Sequence, residues 1–216
     1  TIGVFAQKKS TTTEVVKPPF DAGTVGALSF RMVGPALTSG RVIDIAVNPT
    51  NKDMWYVAAA CGGVWTTNNH GVTFSPIFDG YGSYSIACVK IADSNPNVLW
   101  VGTGENNSSR SSYAGVGILK SNDNGKTWKN IGLNDSHHIG KIVINPNNPN
   151  EIVVAVLGHL YSKNKERGIF KTIDGGVTWE NTLYIDESTG NWDRNNAGLD
   201  GDSDEWITVG GPFHFY

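Results

Sequence analysis

Long apolar runs, cysteine and charge are all scarce in this chain. No stretch reaches the 18 apolar residues of a membrane-spanning helix, so a helical span is not expected. Charged residues make up 17% of the 216, the formal net charge is −3, and no Lys/Arg run follows the first ten residues. The basic footprint of a nucleic-acid or anionic-membrane binder is therefore missing. Two cysteines, Cys61 and Cys88, are too few for a disulfide framework or a cysteine metal signature. Both lie in apolar runs, which suits buried free thiols, and a single bond between them is the alternative. No segment carries a sustained helical period. Nucleophile elbow, phosphate loop and His-rich zinc pattern are absent too, so no metal or cofactor is expected.

Glycine and aromatics are what the chain does have, with 26 glycines and 10% Phe, Trp and Tyr. That mixture suits short strands joined by tight turns. Three units line up along the chain. Each opens with an apolar run: "RVIDIAVNP" at 41–49, "SIACVKIAD" at 85–93 and "IGKIVINP" at 139–146. A turn rich in Asn, Asp or Pro follows, then a second run: "MWYVAAA", "VLWVGTG" or "IVVAVLG". A shorter third run comes next, "GVWTT", "GILKS" or "GIFKT". Each unit closes on one phrase: "TNNHGVTF" at 67–74, "SNDNGKTW" at 121–128 and "TIDGGVTW" at 172–179.

Apolar runs of four to seven residues, rich in Val and Ile and bounded by Asn, Pro and Gly, read as strands. Each unit is then a four-stranded antiparallel sheet of about fifty residues that must stack on its neighbours to bury both faces. The expected fold class is all-β, made of β-propeller blades over about 40–82, 83–136 and 137–187, with a solenoid as runner-up. Propellers close with about four to eight blades, so three leave the ring incomplete within this chain.

In the closing phrase every residue type has a structural task. Asn69, Asp123 and Asp174 accept backbone N–H groups and close a hairpin. Gly71, Gly125 and Gly176 supply positive φ. Trp128 and Trp179 are large enough to cover the turn. A catalytic carboxylate would be needed once, with a partner, so repetition argues for a staple between the third and fourth strands. Asn69 in place of Asp fits a turn and does not fit a catalytic acid.

The pattern S/T-x-D-x-G-x-T-W resembles the Asp-box, or bacterial neuraminidase repeat, of sialidases, xyloglucanases, sortilin-type receptors and photosystem II assembly factors. "MVGPALTSGRVIDIAVNPTN", "AAACGGVWTTNNHGVTFSPIFD" and "HHIGKIVINPNNPNEIVVAVLGHLY" are similar in order and wording to secreted bacterial propellers labelled sortilin-like or glycosyl hydrolase. The likeness covers about 28–190. It implies a secreted, periplasmic or cell-surface module that binds a protein, peptide or glycan, with further blades or another chain closing the ring. The alternative it implies is a polysaccharide-active glycoside hydrolase of sialidase or xyloglucanase type. Catalysis is the less favoured of the two, because that label rests on the Asp-boxes themselves.

Recognition is expected where loops vary most in length. The link between second and third strands is "CGG" in the first unit, "ENNSSRSSYAG" in the second and "HLYSKNKER" in the third. Candidate ligand residues are Arg41, Glu105, Asn106, Arg110, His137, His159 and Tyr161, with Tyr84, Tyr113, His138 and Arg167 beside them. A glycosidase would need two carboxylates about 5–10 Å apart across the bond. Glu105 is the first candidate, with Asp79, Asp135 or Glu166 as its partner. Five arginines, Arg31, Arg41, Arg110, Arg167 and Arg194, offer little material for a sialidase arginine cluster.

The ends read differently. Residues 1–27 read as the remnant of a secretory signal, "TIGVFA", with mature protein starting near Gln7, followed by a flexible spacer. An ordinary N-terminal arm is the other reading. Residues 191–216 continue no blade. Their Asp200, Asp202 and Asp204 alternate like calcium ligands but miss the EF-hand pattern, which leaves a solvated acidic loop as the default.

Overall fold

The computed structural model describes residues 40–106 and 112–188. Among them every regular element is a strand, and no helix is long and apolar enough to cross a membrane. The twelve strands form three four-stranded sheets, each in simple sequence order and wholly antiparallel. The first holds β1 (Val42–Val47), β2 (Trp55–Ala59), β3 (Gly63–Thr67) and β4 (Ser75–Pro76). The second holds β5 (Ile86–Ala92), β6 (Asn95–Thr103), β7 (Ile118–Ser121) and β8 (Lys129–Asn130). The third holds β9 (Ile139–Asn145), β10 (Asn148–Val156), β11 (Gly168–Thr172) and β12 (Glu180–Leu183).

The sheets stack through their first strands, β1 against β5 and β5 against β9. Two apolar layers result. Ala46, Tyr56, Ala58 and Val64 of the first sheet meet Ile86, Val89, Leu99 and Val101 of the second. From its other face the second sheet sends Cys88, Val98, Trp100 and Ile118 against Ile142, Ile152, Val154 and Phe170 of the third. Consecutive residues of β6 thus enter opposite layers, as the two-residue period of a strand requires. The outermost strands β4, β8 and β12 are exposed throughout.

The repeated phrase is a turn with one recurring set of hydrogen bonds. In the second sheet the Ser121 hydroxyl donates to Asp123 Oδ1 (2.7 Å) and accepts from the Gly125 N–H (2.8 Å). Asp123 accepts the Thr127 N–H (2.9 Å) and hydroxyl (2.6 Å). Thr172, Asp174, Gly176 and Thr178 repeat the set in the third sheet. In the first sheet Asn69 replaces the acid and keeps it: Oδ1 accepts from Thr67 and the Thr73 N–H, while Nδ2 donates to Thr73 Oγ1 (2.9 Å). The hydroxyl and amide donors of Thr127 hold the Asp123 carboxyl down to about 2; Thr178 acts likewise on Asp174.

These turns also fasten one sheet to the next. The Trp128 indole N–H donates to the Ile77 carbonyl (2.9 Å), and Trp179 to the Ile131 carbonyl (2.9 Å). Gly125 has φ +80, and a Cβ there would stand 2.7 Å from Ile77 Cδ1. Glycine is thus required twice, by backbone conformation and by the neighbouring sheet. Both cysteines are free: Cys88 is buried and Cys61 half-buried.

Candidate functional site

The connections fall on two opposite faces. The β1–β2, β5–β6 and β9–β10 turns lie beside the closing turns, joined by His70 N–H to Asp53 O (3.1 Å), Asn124 N–H to Asn97 O (3.0 Å) and Gly175 N–H to Asn150 O (2.9 Å). The opposite face carries the links of uneven length: 60–62 and 77–85 around the first sheet, 104–106, 112–117 and 131–138 around the second, 157–167 in the third. Each first strand has a register shift near its start on this face, at Val42/Asp44, Ile86/Cys88 and opposite Ala155/Val156. Bulges at equivalent places re-aim the chain where the uneven links begin.

A polar network joins the links of the first two sheets. Glu105 is 1% exposed, and both of its carboxylate oxygens are engaged. Arg41 Nη2 donates to one (2.7 Å) and Cys61 Sγ to the other (2.9 Å). Burial, and then the Glu105 carboxylate beside it, pushes the Cys61 thiol up to about 11. His138, buried, meets the Glu105 carbonyl through Nδ1 (2.8 Å). A carbonyl only accepts, so that nitrogen carries the proton. Burial holds His138 below the usual histidine range and favours the neutral ring.

A second cluster spans 133–138 and 157–167. Asn164 is buried and donates to the Asp135 carbonyl (2.7 Å), while its Oδ1 accepts the His159 N–H (3.0 Å). Arg167 is 2% exposed and donates to the carbonyls of Leu157, His159 and Ser162. On this frame His159 stacks on His137, with ring centroids 3.5 Å apart and planes 20° off parallel. His159 Nε2 lies 3.0 Å from Asp135 Oδ1, and its Nδ1 lies 2.6 Å from Ser162 Oγ. Burial raises Glu166, whose Oε2 is enclosed without a hydrogen-bond partner.

Arg41, His137, His159 and Tyr161 all lie on the uneven-link face, and Tyr84, Tyr113 and Tyr161 are exposed there. A groove of about 420 Å³ runs between Tyr84 and Tyr113 over Cys61 and Ser85. Glu105 and Arg167, expected to face a ligand, turn inward instead. A charged side chain at the root of a long link is tolerated inside when partners meet most of its charge or donors. Asn106 is half-buried and donates to the Gly140 carbonyl (3.4 Å). Arg110, Arg31, Arg194 and the aspartates at 200, 202 and 204 lie outside the described residues, as do 1–27. Sequence reasoning named His137, His159 and Asp135 separately and missed their meeting. Asp135 and His159 stand 24 residues apart, in links of different sheets, with no ligand spacing to betray them.

No protein-family model matches the chain, and no curated protein matches it. Solved structures do. An ancestral GH74 enzyme is 20% identical with a TM-score of 0.54, over 70% of this chain and 19% of its own. The GH74 enzyme of Niastella koreensis is 19% identical with a TM-score of 0.46, over 68% and 23%. YCF48 from Cyanidioschyzon merolae is 19% identical with a TM-score of 0.47, over 70% and 40%. The chain thus spans about a fifth of the GH74 enzymes' length and two fifths of YCF48. At these identities the likeness speaks for the fold alone: the three sheets are blades of a β-propeller.

Proposed function

We propose that this chain is the Asp-box part of a secreted, sortilin-like β-propeller that binds a protein, peptide or glycan through its uneven-link face. One observation carries the reading. Three blades deliver exposed Tyr84, Tyr113 and Tyr161 to that face beside Arg41, His137 and His159, while the carboxylate at its root is closed off. Exposed tyrosines offer stacking area with a polar tip, which suits sugar rings and peptide side chains. Glu105 is buried with both oxygens held by Arg41 and Cys61, so it serves as scaffold. The Asp-boxes belong to the opposite face and hold the hairpins.

The hydrolase reading keeps one observation of its own. Asp135 is exposed and Glu166 is raised by burial in the same cluster, the divergence of environment that acid–base pairs use. The experiment is a glycan-array and peptide-array screen of the whole chain, with reducing-sugar release from xyloglucan measured in parallel. Binding without turnover, lost in Tyr84→Ala and Tyr113→Ala at unchanged Tm, supports the module. Turnover abolished by Asp135→Asn or Glu166→Gln transfers the protein to the hydrolases. For export, N-terminal sequencing of secreted material is expected to begin near Gln7, and intact residues 1–6 would refute it.

A further inference from the structure

The geometry points to a Zn²⁺ site formed by Asp135, His137 and His159 on the uneven-link face. It goes beyond the binding reading and holds whichever ligand the face takes. The three side chains bring ligand atoms within 4.8 Å of one another. Ligands about 2.0–2.2 Å from a tetrahedral zinc stand roughly 3.4 Å apart, so the set closes when the two stacked rings swing apart and turn their in-plane lone pairs to one point. The donors are two imidazoles and one carboxylate. That combination suits Zn²⁺ and is poor for Ca²⁺ or Mg²⁺, which take oxygen cages.

The surroundings are built around these donors. Ser162 Oγ lies 2.6 Å from His159 Nδ1, and a hydroxyl serves that nitrogen as donor or acceptor according to the tautomer. Without the ion Nε2–H donates to Asp135 Oδ1 (3.0 Å); zinc would displace that proton, and Ser162 then accepts Nδ1–H, the outer-shell arrangement that orients ligating histidines. Asn164 ties the backbone of Asp135 to that of His159, so the two links keep their spacing without the ion. His137 has φ +54, a left-handed conformation uncommon for a residue with a side chain. That conformation goes with a ring laid over His159. Asp135 is 61% exposed, which leaves the remaining coordination position open to water or to a ligand's oxygen. Three protein ligands with one open position is the pattern of reactive rather than purely structural zinc.

The test uses untagged full-length chain stripped with a chelator and titrated with Zn²⁺ alone, by calorimetry and by metal analysis after dialysis. The expected result is one zinc per chain and a Tm that rises with zinc. Asp135→Asn, His137→Ala and His159→Ala each lose the zinc-dependent rise, and Ser162→Ala weakens binding about tenfold or more. Should an alanine variant fail to fold, His159→Gln and the visible spectrum of the Co²⁺-loaded chain probe the same ligand set. A four-coordinate Co²⁺ spectrum that vanishes in His159→Gln supports the site. Absence of stoichiometric zinc, or zinc retained in the double variant His137→Ala/His159→Ala, overturns it. So does zinc binding lost in Cys61→Ser.

Discussion

In the second blade, β5 buries Ile86, Ala87, Cys88 and Val89 in succession. In the first blade, β1 is written in the same apolar residue types, yet Val42 and Ile45 are 62% and 51% exposed and Val47 is exposed as well. Only Ala46 and the partly buried Ile43 of β1 join the layer shared with the second blade. The residue types therefore do not decide the burial. A strand that lies between two neighbours buries both faces, and among the described residues β1 has a neighbour on one side only. A blade is thus half of two interfaces, and its stability is lodged between sheets, not within them.

The strongest way to break this contrast is Trp100→Ala in the second blade. Trp100 is fully buried in the layer facing the third blade, with the Lys120 ammonium 4.8 Å from the ring. Its removal should destabilise the chain by about 3–5 kcal/mol in chemical denaturation. A loss under about 1 kcal/mol would mean that the layer tolerates a void.

Trp128→Phe sharpens the contrast at the fastening between blades. It deletes the N–H that reaches Ile77 and shortens the ring, and should cost about 1–3 kcal/mol. Phe already stands at the matching position 74 in the first blade, where it is exposed, so Phe74→Ala should cost clearly less than Trp128→Phe. Equal losses would dissolve the distinction between a fastened and an unfastened turn.

The acid in the turn comes next. Asp123→Ala should lower Tm at neutral pH, whereas Asp123→Asn should lower it little, since Asn69 makes the same contacts in the first blade. The folded Asp123 carboxyl titrates near 2, below the roughly 3.9 of an unfolded aspartate. A depressed carboxyl stabilises above the unfolded value, and that contribution fades as pH falls from about 4 towards about 2. Tm profiles of wild type and Asp123→Asn should therefore converge on acidification, and parallel profiles would remove the carboxylate from the account.

The smallest effect is expected at Ile45→Thr on the exposed face of β1. A surface change of this kind should stay within about 0.5 kcal/mol, while Val89→Thr in β5 should be severe because it buries a hydroxyl in an apolar layer. A large loss at Ile45 would reveal that something covers that face.

Strand pattern, turn chemistry and the repeat determined the blades and the staple role of Asn69, Asp123 and Asp174, because these depend on neighbours a few residues away. Two-residue alternation, an acceptor capping nearby N–H groups and a glycine at positive φ are local facts that a linear text records. The inward turn of Glu105 and Arg167, and the meeting of Asp135 with His137 and His159, were decided only by the tertiary structure. Glu105 and Asp135 meet groups in links of other blades, whose paths depend on how the blades stack, whereas Arg167 turns onto carbonyls 5 to 10 residues back in its own link. Arg41 and Glu105 are 64 residues apart, and no spacing rule connects them. Whether Glu105 faces solvent or a buried partner is settled by what the neighbouring blade places beside it, and the sequence of its own link carries no record of that neighbour.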